Sequence, residues 1–434
     1  MRLVYNILFP VFFLLSAPYY FWKLWRRGDW RSGFSQRLGC HSAALKQALA
    51  GKRVLWLHAV SVGEANLCAQ LVEALRPQLP GWELVASATT TTGMAELRKR
   101  LPADVHTIYF PVDLLPCVRA TWRALNPSAV VLVEAEIWPN FFWQAQSRGV
   151  PVALVNARLS DRSWRGYQRF GALFGKIFQS LRCVGAQNES DAEKLRALGC
   201  RPEAITVTGN LKFDGAIVPL QQSLDVTPLL RRLGVREGAP VLVAGSTHEG
   251  EEEMLASITV RLRRTRPDLF LVVVPRHFER ARAIEERLRA MGVRVLLRSA
   301  AENAHPPQER IECLLVDSTG ELRLFYEAAT VVFVGKSLCA QGGQNPIEPA
   351  ALGKPVVFGP HMQNFRAVVQ AFENANAVVK VADEAALESA LAALLDDRAR
   401  CADLGERALA VVRRNQGATQ RTAAMVVRML EAKG

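Results

Sequence analysis

The sequence predicts an α/β protein: two doubly wound domains in tandem behind an apolar N-terminal helix. Three observations lead there. Strand-like apolar runs alternate with helical stretches in short steps, which means βαβ units on a parallel sheet. At 434 residues the chain is too long for one ordinary core. From Leu3 to Trp22 there are 20 residues without a charge, about the length that spans a bilayer.

The elements follow in order. The N-terminal segment, 1–25, reads as a membrane anchor. Tyr19, Tyr20, Trp22 and Trp25 form an aromatic belt at its end, and Lys23, Arg26, Arg27, Arg31 and Arg37 follow. Basic residues after the span place that side in the cytoplasm. A cleaved signal peptide would need basic residues before the apolar run and a small-residue cleavage site after it; only Arg2 precedes the run. Asn6, Pro10 and Pro18 leave open a helix lying in the interface instead of spanning.

The first domain, 50–220, opens with a buried strand at 53–58 and a helix through Leu75. Strands at 83–87, 105–110, 129–133, 151–155, 182–186 and 204–208 alternate with helices at 93–100, 114–125, 140–148, near 166–181 and at 190–198. Pro219 to Leu233 is mixed and polar and serves as the boundary. The second domain, 230–434, has strands at 240–244, 269–274, 293–297, 312–316, 331–334 and 355–358. Its helices fall at 250–266, 278–291, 320–328 and 346–352, and a basic, Ala-rich helical tail runs from about 385 to 432. Both domains are Rossmann-like, so ligands are expected at the carboxyl ends of strands.

Half of the residues are hydrophobic and no low-complexity tract is present, which argues against disorder. The net charge of +13 fits an anionic partner. Nucleic acid fits poorly, since zinc-finger spacing, aromatic RNA-binding patterns and basic arms are all missing. The eight cysteines are scattered with no C-x-x-C, as in a reducing compartment. There is no phosphate-binding G-x-x-x-x-G-K-[ST], no G-x-G-x-x-G after a first strand and no Asp-x-Asp, so nucleotide chemistry without a metal or cofactor is expected.

Six strand-end loops carry the polar residues. Ser61-Val62-Gly63-Glu64 places Glu64 at a helix start, where the macrodipole favours its ionised form; simple helix-start chemistry explains it equally. In Val133-Glu134-Ala135-Glu136-Ile137-Trp138-Pro139-Asn140, two acids two apart at a strand end lie on one face, although solvated loop acids are common. Gly209-Asn210-Leu211-Lys212-Phe213-Asp214 precedes the boundary. In Gly245-Ser246-Thr247-His248-Glu249-Gly250, Ser246 or Thr247 can cap the next helix. Val274-Pro275-Arg276-His277 offers an Arg as a phosphate clamp or as a plain surface residue. Asp317-Ser318-Thr319-Gly320-Glu321 opens another helix.

A further loop, Gly342-Gly343-Gln344-Asn345-Pro346-Ile347-Glu348-Pro349, lies between two strands. Asn345 reads as an N-cap, Pro346 as the first helical residue and Glu348 as the third. Such a junction points free N–H groups at a phosphate, with Glu348 placed for ribose hydroxyls. Asn-x-x-Glu is also an ordinary capping arrangement.

Taken together, these loops resemble the 3-deoxy-D-manno-octulosonic acid (Kdo) transferases of lipopolysaccharide synthesis, over essentially the whole chain. The resemblance rests on Ser-Val-Gly-Glu at 61–64, Glu-x-Glu-x-Trp-Pro-Asn at 134–140, Asn-Ala-Arg-Leu-Ser at 156–160, Gly-Ser-Thr-His-Glu-Gly-Glu-Glu at 245–252, Pro-Arg-His at 275–277 and Gly-Gly-x-Asn-Pro-x-Glu-Pro from 342. It implies the glycosyltransferase-B fold and inverting, metal-independent transfer of Kdo from CMP-Kdo to the lipid A precursor. The site implied is the cytoplasmic side of the anionic inner membrane. It puts the general base on Glu64 and transition-state stabilisers on Glu134 and Lys212. Donor contacts fall on Pro275, Arg276, Thr319, Gly320, Glu321, Asn345, Pro346, Ile347 and Glu348. The chain departs from the family pattern at Phe278, Lys336 and Gln344. The alternative is another nucleotide-sugar enzyme on this fold, such as an epimerase.

Overall fold

β1 (Arg53–Ala59) is buried along all but its first residue. Its side chains divide between two layers. Leu55, Leu57 and Ala59 join one hydrophobic cluster, and Val54 and Trp56 join another on the opposite face. A strand covered on both faces must be apolar throughout, which is why these strands read as continuous runs.

The computed structural model describes residues 1–26, 32–134, 136–217, 225–301 and 310–432. Arg27, Arg31 and residues 219–224 of the expected boundary lie outside them, as do the side chains of Tyr19, Tyr20, Lys23, Trp25 and Arg26. Backbone contacts divide the chain into two compact units, Met1–Gly215 with Gln416–Gly434, and Ala216–Asn415.

In the first unit β2 (Trp82–Ala88), β3 (His106–Tyr109), β4 (Ala129–Val133), β5 (Val152–Ala157), β6 (Cys183–Ala186) and β7 (Ile205–Val207) join β1 in a parallel sheet. The order is β3-β2-β1-β4-β5-β6-β7. The chain winds outward from β1 in one direction and then, from β4, in the other. The crevice beside β1 and β4 is therefore the topological switch point, where ligands bind in such sheets. The expected helix near 166–181 is two helices, Asp161–Arg169 and Gly171–Gln179. Phe170, at φ −107° and ψ 35°, separates them.

The second unit repeats the plan. Its strands are β8 (Val241–Thr247), β9 (Phe270–Pro275), β10 (Val295–Leu297), β11 (Cys313–Leu315), β12 (Val331–Val334), β13 (Val356–Phe358) and β14 (Val379–Lys380). The order is β10-β11-β9-β8-β12-β13-β14, with the switch point between β8 and β12. The two-residue β14 is too short to stand out in sequence.

The helical tail is not one element of the second domain, as its sequence suggested. Glu384–Asp396 and Arg398–Asn415 stay in the second unit, and Ala418–Glu431 belongs to the first. Its Ala423, Met425, Val426 and Met429 enter the cluster formed by β1 and the helix Val62–Leu75. Each large apolar side chain buried this way contributes roughly 1.5–3 kcal/mol over exposure.

The N-terminal run folds as one helix, Arg2–Arg26. Among the described residues no helix is long and apolar enough to cross a membrane. One side of its first turns packs on the first unit. The Tyr5 hydroxyl donates to Asp113 Oδ2 at 2.8 Å, Asn140 Nδ2 donates to Asn6 Oδ1 at 2.9 Å, and the Phe9 ring meets Trp138 edge-on at 6.4 Å. Val4, Leu8, Val11 and Leu15 form a stripe 51–79% exposed. Their spacing of four, three and four residues keeps them on one helical face.

Candidate active site

At the end of β1, Ser61 caps the helix Val62–Leu75 by accepting from the Glu64 N–H. Glu64 answers in kind. Its Oε1 accepts from the Ser61 hydroxyl at 2.9 Å and its Oε2 from the Val60 N–H at 2.8 Å. This is a capping arrangement, yet it does not leave an ordinary carboxylate. Burial pushes the Glu64 carboxyl up to about 7, Glu134 and Glu136 push the same way, and the Val60 and Ser61 hydrogen bonds oppose them. The helix start was expected to hold Glu64 fully ionised. Desolvation and a second carboxylate outweigh the dipole.

Glu134 follows β4 in left-handed backbone, with φ 60°. The two acids do not share a strand face, as their spacing suggested. β4 ends at Val133, and a turn in which the Glu136 N–H donates to the Glu134 carbonyl at 3.2 Å brings the carboxylates together. Glu134 Oε1 lies 3.4 Å from Asn156 Nδ2. Glu136 Oε2 accepts from the Trp138 indole N–H at 2.7 Å, and burial raises its pKa.

Lys212 joins this cluster. Burial lowers its pKa, and Glu134 and Glu64 both oppose that shift, which places its ammonium beside the carboxylates. Its backbone is fixed from two sides. The Lys212 N–H donates to Asn210 Oδ1 at 3.0 Å, and the Leu211 N–H donates to Asn156 Oδ1 at 3.1 Å. Asn156 thus ties the Glu134 turn to the Lys212 turn. Asp214, from the same motif, accepts from the Gly417 and Thr419 N–H groups at 2.7 and 2.6 Å and caps the last helix instead of facing the cluster. The structure therefore brings Glu64, Glu134 and Lys212 together in one unit. Three carboxylates and one lysine can take up a proton near neutrality and steady a cationic transition state.

The second unit holds the other expected residues. Pro275 closes β9 and is buried, while Arg276 is exposed, with its N–H on the Thr247 carbonyl at 3.0 Å. Arg276 and Arg323 both lower the pKa of Glu348, against a larger upward push from burial. Asn345 does not act as the N-cap of its helix. Its Oδ1 accepts from the Ile347 N–H at 3.1 Å, its Nδ2 donates to Glu348 Oε1 at 3.0 Å, and Pro346 takes the cap position of the helix Ile347–Ala351. The helix starts one residue late because a two-residue Asn turn competes with the cap. The Ile347 N–H expected to be free is therefore engaged.

Thr319 and Gly320 are exposed at a turn with Gly320 at φ 90°. Glu321 accepts from Arg298 at 3.0 Å and from the Ser318 hydroxyl. The helix that follows, Leu322–Ala328, carries Arg323 and Tyr326 toward Glu348; burial, and then the charge of Glu348, push the Tyr326 hydroxyl well up.

Neither Ser246 nor Thr247 caps the next helix; Gly250 holds that place. The acids there bind loops instead. The fully buried Glu251 accepts from the N–H groups of His248 (2.9 Å), Lys336 (2.7 Å), Ser337 (2.9 Å) and Leu338 (3.1 Å). Nothing in a run of three glutamates marks the middle loop of a distant strand as its partner. Asp113 was missed for the same reason. Its carboxylate accepts from the Asn140 and Phe141 N–H groups, each at 2.9 Å, and so caps the helix Pro139–Ser147 that follows the Glu134 turn.

Comparison with known proteins agrees with this layout. Residues 32–215 match the 3-deoxy-D-manno-octulosonic-acid transferase (kdotransferase) family, and residues 261–411 match glycosyl transferases group 1. The chain is 34% identical to a 3-deoxy-D-manno-octulosonic acid transferase of Bordetella pertussis, covering 94% of this chain and 95% of that one. It is 32% identical to one of Haemophilus influenzae, covering 85% of each. A UDP-GlcNAc 2-epimerase from Neisseria meningitidis, solved with UDP-GlcNAc, superposes with a TM-score of 0.58 over 88% of this chain and 100% of that one. At 14% identity that likeness concerns the two-sheet fold alone. With the strand-end motifs in place on both sheets, the chain belongs to the 3-deoxy-D-manno-octulosonic acid transferase family and is a glycosyltransferase.

Proposed function

We propose that this glycosyltransferase moves Kdo from CMP-Kdo to a hydroxyl of the phosphorylated lipid A precursor, with inversion and without a metal. The observation that carries the reading is Glu64, a half-buried carboxyl raised to about 7 beside Glu134 and Lys212. A general base works best when its pKa lies near the operating pH. In the proposed step the acceptor oxygen attacks the anomeric carbon, the bond from that carbon to the phosphate oxygen breaks, and CMP leaves as an anion. The acceptor's proton goes to Glu64. Glu134 and Lys212 steady the charge that develops at the sugar. Arg276 meets the departing phosphate, and Glu348, held by Asn345, serves the ribose.

Membrane attachment is part of the proposal. The exposed stripe Val4, Leu8, Val11 and Leu15 would lie in the interface of the anionic inner membrane on its cytoplasmic side. The net charge of +13 supports that surface and a phosphorylated acceptor. The test is incubation with CMP-Kdo and tetra-acylated lipid A precursor, followed by mass measurement of the lipid. A mass gain of one or more Kdo units, retained in excess EDTA, is expected. Free Kdo with unmodified lipid would overturn the transfer, and a loss in EDTA restored by Mg²⁺ would overturn the metal-free step.

A further inference from the structure

Among the described residues, three that are neither glycine nor asparagine hold a positive φ: Glu134, Ser246 and Lys336, the last at 57°. Such backbone is disfavoured for a residue with a Cβ and persists only where the surroundings impose it. Glu134 belongs to the carboxylate cluster. Lys336 has no such role yet, and its backbone is held with equal care. Its N–H donates to Glu251 Oε2 at 2.7 Å, and its carbonyl accepts from the Gly343 N–H at 2.9 Å. The next two N–H groups also end on Glu251.

The Lys336 side chain also has a neighbour in this loop. Its stem runs beside Gly342, where an added Cβ would stand 3.5 Å from Lys336 Cε. Among the described residues no carboxylate lies within ion-pair distance of its ammonium. Lys336 follows β12, His248 follows β8 and Arg276 follows β9, and these three strands are neighbours in the sheet. Three nitrogen-bearing side chains therefore stand at adjacent strand ends on the ligand side of a doubly wound sheet.

His248 is the neutral member. Gln344 Nε2 can only donate, so the imidazole Nε2, at 3.3 Å, accepts and the ring proton sits on Nδ1. Burial and the nearby Lys336 both lower the His248 pKa, which keeps that form. The His277 ring stands edge-on to it, 5.8 Å away. The charge at this corner thus comes from Lys336 and Arg276, with His248 and Gln344 as neutral hydrogen-bonding neighbours.

We infer that Lys336 is a donor-binding residue whose ammonium takes an oxyanion of the nucleotide sugar, with His248 and Gln344 lining that subsite. This rests on the proposed use of CMP-Kdo. The donor carries two such groups, a phosphate and a sugar-acid carboxylate, and one variant tells them apart. Lys336→Gly removes the ammonium and keeps the left-handed backbone, so its melting temperature should not fall. A charge-assisted contact of this kind is worth about tenfold or more in affinity. If the ammonium binds phosphate, calorimetry should show CMP affinity falling about tenfold while cytidine binding is unchanged. If it binds the carboxylate, CMP affinity should hold and the KM for CMP-Kdo should rise about tenfold at little change in kcat. CMP affinity and CMP-Kdo KM both within twofold of wild type would overturn the assignment. Failure of the CMP-Kdo reading itself would look different, because the wild-type protein would then add no Kdo mass to the lipid.

Discussion

β4 and β12 occupy the same place in their sheets, each beside the first strand of its unit. Each is followed by a residue in left-handed backbone, Glu134 after one and Lys336 two residues after the other. The charge they present is opposite. The first unit gathers Glu64, Glu134 and Glu136 around Lys212, whereas the second collects Arg276, Arg323 and Lys336 around Glu348 and His248. One architecture thus supplies two environments. Burial, with neighbouring carboxylates, raises the pKa of Glu64 and Glu136, and that suits proton uptake. A cationic strand-end cluster suits a phosphate. Fold dictates where such groups stand, and the residues at the strand ends decide what they do.

The comparison breaks first at Glu64. Glu64→Gln should lower Kdo transfer about 10²–10⁴-fold, while CMP affinity, which the proposal assigns to the second unit, stays within twofold. The same variant should change how stability responds to pH. The folded carboxyl sits near 7, above its ordinary 4.5. Stability from the protonated form is complete below about 4.5 and is lost as pH rises through 7, because the folded state then holds a proton the unfolded state has released. Gln does not titrate, so the fall in melting temperature between pH 5 and pH 8 should flatten. A residual slope should remain from Asp113, whose burial likewise pushes it to about 7. Wild-type turnover in Glu64→Gln would reduce the residue to a helix cap.

The second break is on the cationic side. Arg276→Ala should weaken CMP binding by about 1.5–3 kcal/mol through loss of a charge-assisted contact, with the pH dependence of stability left as in wild type. Calorimetry showing unchanged affinity would move the phosphate elsewhere. Glu134→Gln sharpens the contrast. Removing a neighbouring negative charge should shift the rising limb of the rate–pH profile, expected near the Glu64 value of about 7 in the wild type, to lower pH. An unmoved limb would show that Glu134 does not act on the base.

What was legible in the sequence follows the same division. The strands were readable because parallel strands buried on both faces are apolar without interruption. Glu64, Glu134, Lys212, Arg276 and Glu348 were readable as polar residues at strand ends. Their electrostatics were not, since the Glu64 pKa depends on a carboxylate seventy residues away whose placement needs the Glu134 turn. The Asn345 turn was misread because Asn can cap a helix or close a two-residue turn, and local sequence does not choose. Glu251, Asp113 and the last helix share one difficulty. Their partners are far along the chain, and only the folded backbone brings them close.

The smallest expected effect concerns the N-terminal helix, which the sequence reads as a membrane anchor. Tyr5 and Asn6 interrupt its apolar character, and both are used against the first unit. The Tyr5 hydroxyl gives Asp113 a third donor beside the Asn140 and Phe141 N–H groups. Tyr5→Phe should therefore cost about 1–2 kcal/mol of stability at pH 8, where Asp113 is ionised and the bond is charge-assisted. The sign with pH follows from the direction of the Asp113 shift. Burial raises that carboxyl, and the Tyr5 hydrogen bond lowers it by favouring the charged form. Below pH 6 the carboxyl is mostly protonated, so the lost bond is an ordinary one and the penalty should shrink toward about 0.5 kcal/mol. Denaturant unfolding of the wild-type protein and Tyr5→Phe at pH 5.5 and pH 8 measures both numbers. A penalty equal at the two pH values would mean that Tyr5 packs against the unit without serving the carboxylate. No penalty at either would leave the helix as the anchor that its apolar sequence suggests, with no part in the stability of the unit.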